Sequence, residues 1–297
     1  MTPAYAPLLC ERISSAQPIQ VWKMQALGND FLLVDTAVTG ELDWPKCARQ
    51  SCCRHYGLGA DGLLAVRKEA DFYRVHMWNP DGTEDFCVNG IRCAARFLYD
   101  AGLISERRFS VNCFRKRCKI VIESVGLGAH PAITVDVGQP LLAPSLIPML
   151  LERPICPVLD YPLEILGYSF RINCVSTGVT HSVIFVDELP SDDYFCKFSP
   201  VIETHPLFPE RTCVLWTVVE SHTRLRIRIW ERGVGETLGC GSGACAAAVV
   251  SRLSHKTADA VRVQSPGGEV NIDFRPGTSV RLTGTAEYIC EAEVILT

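Results

Sequence analysis

Two stretches of the chain repeat one another, "DGTEDFCVNGIRCAA" at 81–95 and "VGETLGCGSGACAAA" at 234–248. Each runs Gly, then Cys five residues later, Gly three beyond, then Cys-Ala-Ala, the last cysteine lying one position nearer in the second copy. A looser pair, "GNDFLLVD" (28–35) and "GVTHSVIFVD" (178–187), precedes them in the same order. Two matches in one order imply a duplicated domain. The fold must then bring two like halves together, with Cys87 and Cys240 equivalent and facing each other across the cleft between them.

Short apolar runs dominate the pattern, among them "FLLVD" (31–35), "GLLAV" (62–66), "YRVHMW" (73–78), "AITVDV" (132–137), "RLRIRIW" (224–230) and "EVNIDF" (269–274). These read as strands. Two stretches read as helices, 90–103 and 243–255, each after a strand and a glycine-containing turn. Strands outnumber helices without strict alternation, so the expected class is α+β. The proline-rich stretch 138–162 separates the halves. The expected division is an N-terminal extension at 1–20, one half at 21–140 completed by a strand near 284–297, and a second half at 141–283.

Hydrophobic residues make up 47% and charged residues 21%, and the net charge is −4. That balance argues for a folded domain without an electrostatic pull toward nucleic acid or membrane. No apolar run approaches the length of a membrane span, and the first twenty residues lack a signal's basic and apolar regions. A cytoplasmic location is expected, and a homodimer is left open. Fifteen cysteines, an odd number with no C-x-x-C spacing, fit neither a disulfide framework nor a zinc site. Most are expected to be small buried hydrophobes, Cys93 and Cys245 included.

Cys87 and Cys240 stand apart because each precedes a helix start. The positive end of a helix favours a thiolate, and a thiol of ordinary pKa near ~8.5 can serve as base or acid once its surroundings shift it. Two such groups on opposite sides of one carbon can invert it: one removes a proton and the other returns one to the opposite face. Free N–H groups at Val88, Asn89, Gly241 and Ser242 are placed to hold the carboxylate of an amino-acid substrate. No cofactor and no metal are called for.

At these residues the chain resembles the diaminopimelate epimerase family. The resemblance runs from about Lys23 to the end through "KMQALGNDFLLVD", "RHYGLGADG", "NPDGTEDFCVNGIRC", "FPERT" and "ERGVGETLGCGSGACAA". It implies two similar halves, each a mixed sheet wrapped around a central helix, and racemisation without pyridoxal by a cysteine pair, here Cys87 and Cys240. His181 and Glu231 would sit beside the pair and tune it. Asn29, Asn79, Glu231 and Arg232 would contact substrate, Arg232 forking onto a distal carboxylate. Taken alone, the two asparagines could be turn residues, His181 a structural histidine and Glu231–Arg232 an exposed charge pair.

Four positions depart from the family pattern, Thr180 among them in place of the usual proline. Val88 replaces the glycine of C-G-N-G, keeping a backbone donor but narrowing the site. Val179 and Cys213 each replace a substrate-binding asparagine. The expected substrate is therefore an amino acid with a polar distal group that need not be diaminopimelate, with diaminopimelate epimerase proper as the alternative. Two other classes compete. A nucleotide-binding module would use the glycines at 239, 241 and 243, but their spacing is not G-x-G-x-x-G. A thiol redox sensor would use the same cysteines without exchanging a substrate proton. "FRKRCK" (114–119) alone would not make a nucleic-acid site.

Overall fold

A computed structural model describes residues 18–40, 42–114, 116–123, 130–152 and 155–295. The expected extension at 1–20 lies outside these apart from its last three residues, and strand β1 (Ile19–Ala26) already begins within them. The first half is built from β1, β2 (Asn29–Asp35), β3 (Gly62–Glu69), β4 (Phe72–Trp78), β5 (Arg108–Cys113), β6 (Lys116–Ile122) and β7 (Ile133–Gly138). Strand β17 (Glu287–Val294) returns to pair with β1. The second half holds β8 (Val158–Ile165), β9 (Tyr168–Ser176), β10 (Thr180–Phe185), β11 (Cys213–Ser221) and β12 (Arg224–Glu231). It continues through the short β13 (Gly235–Thr237), β14 (Ala260–Ser265), β15 (Gly268–Asp273) and β16 (Val280–Gly284).

Strand pairing states the duplication more plainly than the sequence does. From β17 through β1 to β7 the neighbours run antiparallel, antiparallel, parallel, antiparallel, parallel, antiparallel, antiparallel. From β8 to β16, with β14 beside β12, the same series recurs. Antiparallel pairing of β7 with β16 joins the halves. In each half a helix crosses over before the second parallel pair: α3 (Val88–Asp100) between β4 and β5, and α5 (Gly241–Leu253) between β12 and β14. A parallel neighbour cannot be reached by a tight turn, which is why a helix occupies that place in both copies.

The two central helices lie inside the curled sheets. Helix α5 is buried from Gly243 to Ser251, so it is apolar all round, and its alanines let the strands approach closely. Helix α3 is buried over most of its length and keeps an Arg96–Asp100 ion pair at its outer end. Their side chains share one core with Met24, Phe31, Leu33, Leu64, Ile227, Ile229 and Leu282. Fully burying a side chain such as Phe31 contributes about 2–3 kcal/mol.

Outer faces of the sheets carry shorter helices that composition did not announce. Helix α2 (Trp44–Ser51) starts at Asp43, whose carboxylate accepts from the Lys46 N–H, and it covers Leu32, Leu63 and Ala65. Helix α4 (Asp192–Glu203) sets Phe195, Phe198 and Ile202 against Trp216 and Ile184. One turn, α1 (Thr36–Thr39), and a 3-10 turn at Pro144–Leu146 complete the helices among the described residues. With both faces covered, β2 is buried from Phe31 to Val34, which is why its apolar run is unbroken. All fourteen cysteines among the described residues are free thiols, and most are buried.

Candidate active site

Cys87 is the N-cap of α3 and Cys240 the N-cap of α5, with nearly the same backbone: φ −131°, ψ 115° and φ −123°, ψ 115°. Both helices begin two residues earlier than expected. Val88–Asn89 and Gly241–Ser242, which read as turn, form the first helical turns, so their N–H groups have no partner within the helix. The two helix starts abut. A Cβ on Gly241 would lie 2.9 Å from Asn89 Oδ1 and 3.1 Å from Val88 Cβ, so only glycine fits there. Asn89 Nδ2 donates across the seam to the Gly239 carbonyl at 3.2 Å.

Above this seam opens a cavity of about 600 Å³ whose lining includes both Cys87 and Cys240. Its walls include Asn29, Asn79, Val88, Asn89, Val179, Cys213, Glu231, Arg232, Gly241 and Ser242, each nominated by the sequence. Asn29, at the start of β2, accepts from the Cys87 thiol at 3.6 Å while its own amide donates to Asp61 at 2.7 Å. Asn79 spends its amide on Thr83 Oγ1 at 3.1 Å, closing the turn after β4. Arg232 is turned back: Nη1 donates to the Glu210 carbonyl at 3.0 Å and its backbone N–H to Cys213 Sγ at 3.5 Å. The thiol of Cys213 is thus occupied from within the protein.

His181 stands behind the wall, fully buried on β10. It reaches the pair through one hydroxyl: Ser242 Oγ lies 3.4 Å from His181 Nε2 and 3.3 Å from Cys240 Sγ. Thr177 fixes this arrangement, donating to the Ser242 carbonyl at 2.8 Å and lying 3.4 Å from His181 Nδ1. Asn29 and His181 each stand six residues before the shared aspartates, Asp35 and Asp187. Equivalent places in the two halves therefore serve Cys87 with an amide and Cys240 with an imidazole.

Burial outweighs the helix ends in setting the charges. It pushes the Cys87 thiol up to about 12 and the Cys240 thiol well above its ordinary value, with the Glu231 carboxylate adding to both. N–H groups of the first turns pull the other way, Gly90 and Asn89 at Cys87 and Gly243 at Cys240. The expectation that the helix end would favour thiolate is therefore reversed by burial. Glu231 is itself raised by desolvation, against hydrogen bonds from Thr237, at 2.6 Å, and from Cys240. His181 is pulled down to about 3 by burial, and the imidazole is neutral.

A family profile described as diaminopimelate epimerase matches residues 21–142 and 173–289. The chain belongs to the diaminopimelate epimerase family. Among curated relatives, the diaminopimelate epimerase of Moorella thermoacetica is 41% identical over 89% of this chain and 95% of its own length. That of Desulfitobacterium hafniense is 38% identical over 91% and 96%. Solved structures extend the fold further. A hydroxyproline epimerase from Agrobacterium vitis superposes with a TM-score of 0.68 at 13% identity, covering 94% of this chain and 93% of that one. A PhzF-family phenazine biosynthesis protein from Bacillus anthracis gives 0.66 at 17%, covering 94% and 99%. The protein is an isomerase of the epimerase and racemase type, and its substrate is a small molecule.

As a member of this family, the chain carries its departures where they touch the pocket. Val88 is buried at the seam, and Val179 and Cys213 present an apolar group and an engaged thiol to the cavity. Sequence reasoning passed over Asp61, Thr177, Thr237 and the Ser242 hydroxyl. Asp61 lay inside the quoted "RHYGLGADG", but nothing in that stretch says that it orients Asn29. No helix among the described residues is long and apolar enough to cross a membrane.

Proposed function

We propose that this epimerase inverts an amino-acid Cα by two-base proton transfer between Cys87 and Cys240. The observation that supports it is their equivalent placement as N-caps of the two central helices, on one cavity. The substrate Cα lies between the sulfurs. One thiolate takes its proton, the electron pair passes into the α-carboxylate, and the opposite thiol delivers a proton to the other face. First-turn N–H groups at Val88, Asn89, Gly241 and Ser242 receive the growing carboxylate charge. Because both thiols are pushed up, the sulfur that acts as base must first pass its own proton on. At Cys240, Glu231 takes it directly, and the neutral His181 orients the sulfur through Ser242. At Cys87, Asn29 orients the sulfur, and the proton leaves to solvent through the cavity. The setting is the cytoplasm, and no cofactor takes part.

At the far end, Val179 and Cys213 offer no amide, and Arg232 is bound to Glu210. A second ammonium–carboxylate centre would lose two polar partners there, on the order of 1–3 kcal/mol each. The proposed substrate is thus an amino acid with a polar distal group other than diaminopimelate. The names of the curated relatives favour diaminopimelate itself, a second reading with the same chemistry at the sulfurs. Chiral chromatography of reactions with LL-diaminopimelate and a panel of L-amino acids separates the two. Higher kcat/KM for a panel member is expected, and Val179→Asn with Cys213→Asn should shift preference toward diaminopimelate by about 10-fold or more. Clear preference of the unaltered enzyme for diaminopimelate overturns the distal reading. Inversion of neither overturns the whole.

A further inference from the structure

Helix α3 carries one fully buried charge that the two-cysteine chemistry does not use. Arg92 is fully buried, and its Nε and Nη1 have no hydrogen-bond partner among the described residues. Nη2 donates to Asn89 Oδ1 at 2.8 Å. The groups whose charge it feels are thiols: Cys87 and Cys93 on its own helix and Cys245 on α5. Burial pulls the guanidinium down to about 10, which leaves it protonated at neutral pH.

Burying an unpaired cation costs stability, and an apolar side chain of the same volume would fill the space at lower cost. The fold nevertheless makes room for it. At the end of β16, a Cβ on Gly284 would overlap Nη1. Holding Asn89 Oδ1 also decides which way that amide faces. Its Nδ2 must point to the Gly239 carbonyl, at 3.2 Å, and to Asn29 Oδ1, at 3.4 Å. Asn29 Oδ1 in turn accepts from the Cys87 thiol. The guanidinium is thus tied through two amides to one sulfur of the pair and to the seam between the halves.

The geometry points to Arg92 as a positioning residue: it orients the Asn89 amide across the seam and sets an uncompensated positive charge beneath the paired helix N-termini, favouring the Cys87 thiolate and the substrate carboxylate. This rests on the two-cysteine reading. Other charges facing Cys87 are Glu231 on β12 and Asp85 in the loop before α3; both oppose the thiolate, and Cys93 lies on the same helix. Arg232 lines the same cavity but is turned back onto the Glu210 carbonyl, whereas the buried Arg92 is tied by hydrogen bonds through Asn89 and Asn29 to the Cys87 sulfur, and its charge and a Cys87 thiolate stabilise one another.

The test measures Cys87 alkylation by iodoacetamide against pH, by peptide mass spectrometry, in the wild type, Arg92→Met and Arg92→Lys, alongside kcat and KM. Arg92→Met should slow Cys87 alkylation at a given pH by about tenfold, one pKa unit, and raise KM while lowering kcat. Arg92→Lys, which keeps the charge, should alkylate within about threefold of wild type. A wild-type alkylation profile in Arg92→Met overturns the inference, as does equal slowing in Arg92→Lys. If Arg92→Met does not fold, Asn89→Asp replaces it: its carboxylate cancels the guanidinium and must slow alkylation likewise, and an unchanged profile overturns the proposal. Alkylation needs no turnover, so a wild-type enzyme that inverts no amino acid would sink the functional reading separately.

Discussion

Buried behind the pocket, His181 couples the site's chemistry to the stability of the fold. Its pKa in the folded chain is about 3, against 6.5 for an ordinary imidazole. The unfolded chain therefore binds the extra proton first as pH falls. Stability from the neutral, buried ring is complete above pH 6.5 and is lost progressively as pH falls toward 3, by about 1.4 kcal/mol per pH unit. Glu231 works in the opposite sense, because its folded pKa is raised and the fold prefers its protonated form. Comparing His181→Gln with wild type isolates the histidine: urea melts should show a flatter loss of stability between pH 6.5 and 4 in the variant. Equal slopes would mean that the imidazole is charged or hydrated in the fold. At this scale the sequence showed the cysteines, because they recur, and hid their supports. Asn29 and Asp61 are 32 residues apart, and Ser242 and His181 are 61 apart. No local pattern joins such partners. Arg92 was hidden differently, since a charged residue in a helix reads as solvent-facing until the sheet is wrapped around it.

Helix starts are the elements on which the site depends. Their position is set by glycine and by contact between the halves, as Gly241 shows. Gly241→Ala adds a methyl against Asn89 Oδ1 and Val88 Cβ, both part of the opposing helix start. Overpacking of this kind costs about 1–3 kcal/mol, and it pushes apart the donors that hold the carboxylate. Thermal melts should fall by several degrees, while kcat/KM falls by about 100-fold or more, well beyond what lost folded protein explains. A variant with wild-type kcat/KM would show that the seam need not be tight. The central helices were legible from composition, with errors of two residues where glycine-rich first turns looked like loops. Helices α2 and α4 were not. Pro200 inside α4 and the aromatic residues of both lower local propensity, whereas Pro45 stands in the first turn of α2, where proline is tolerated; packing on the outer sheet faces is what makes both segments helical.

Across the whole molecule the repeat motif predicted more than any single segment did. Two short matches implied two like halves, and the strand pairing runs through the same series twice. What the matches could not give is the join, the β7–β16 pairing, or the way burial raises both thiols together; these come from packing between halves. The proposed inversion needs both sulfurs. It is tested most directly by running the reaction in deuterium oxide and following Cα–H exchange and change of hand together, in wild type, Cys87→Ser and Cys240→Ser. Cys93→Ala and Cys245→Ala, which alter only packing, serve as controls. The expected result is coupled exchange and inversion in the wild type and both controls, with inversion reduced about 1,000-fold or more in each serine variant. Unimpaired inversion in either serine variant would contradict it.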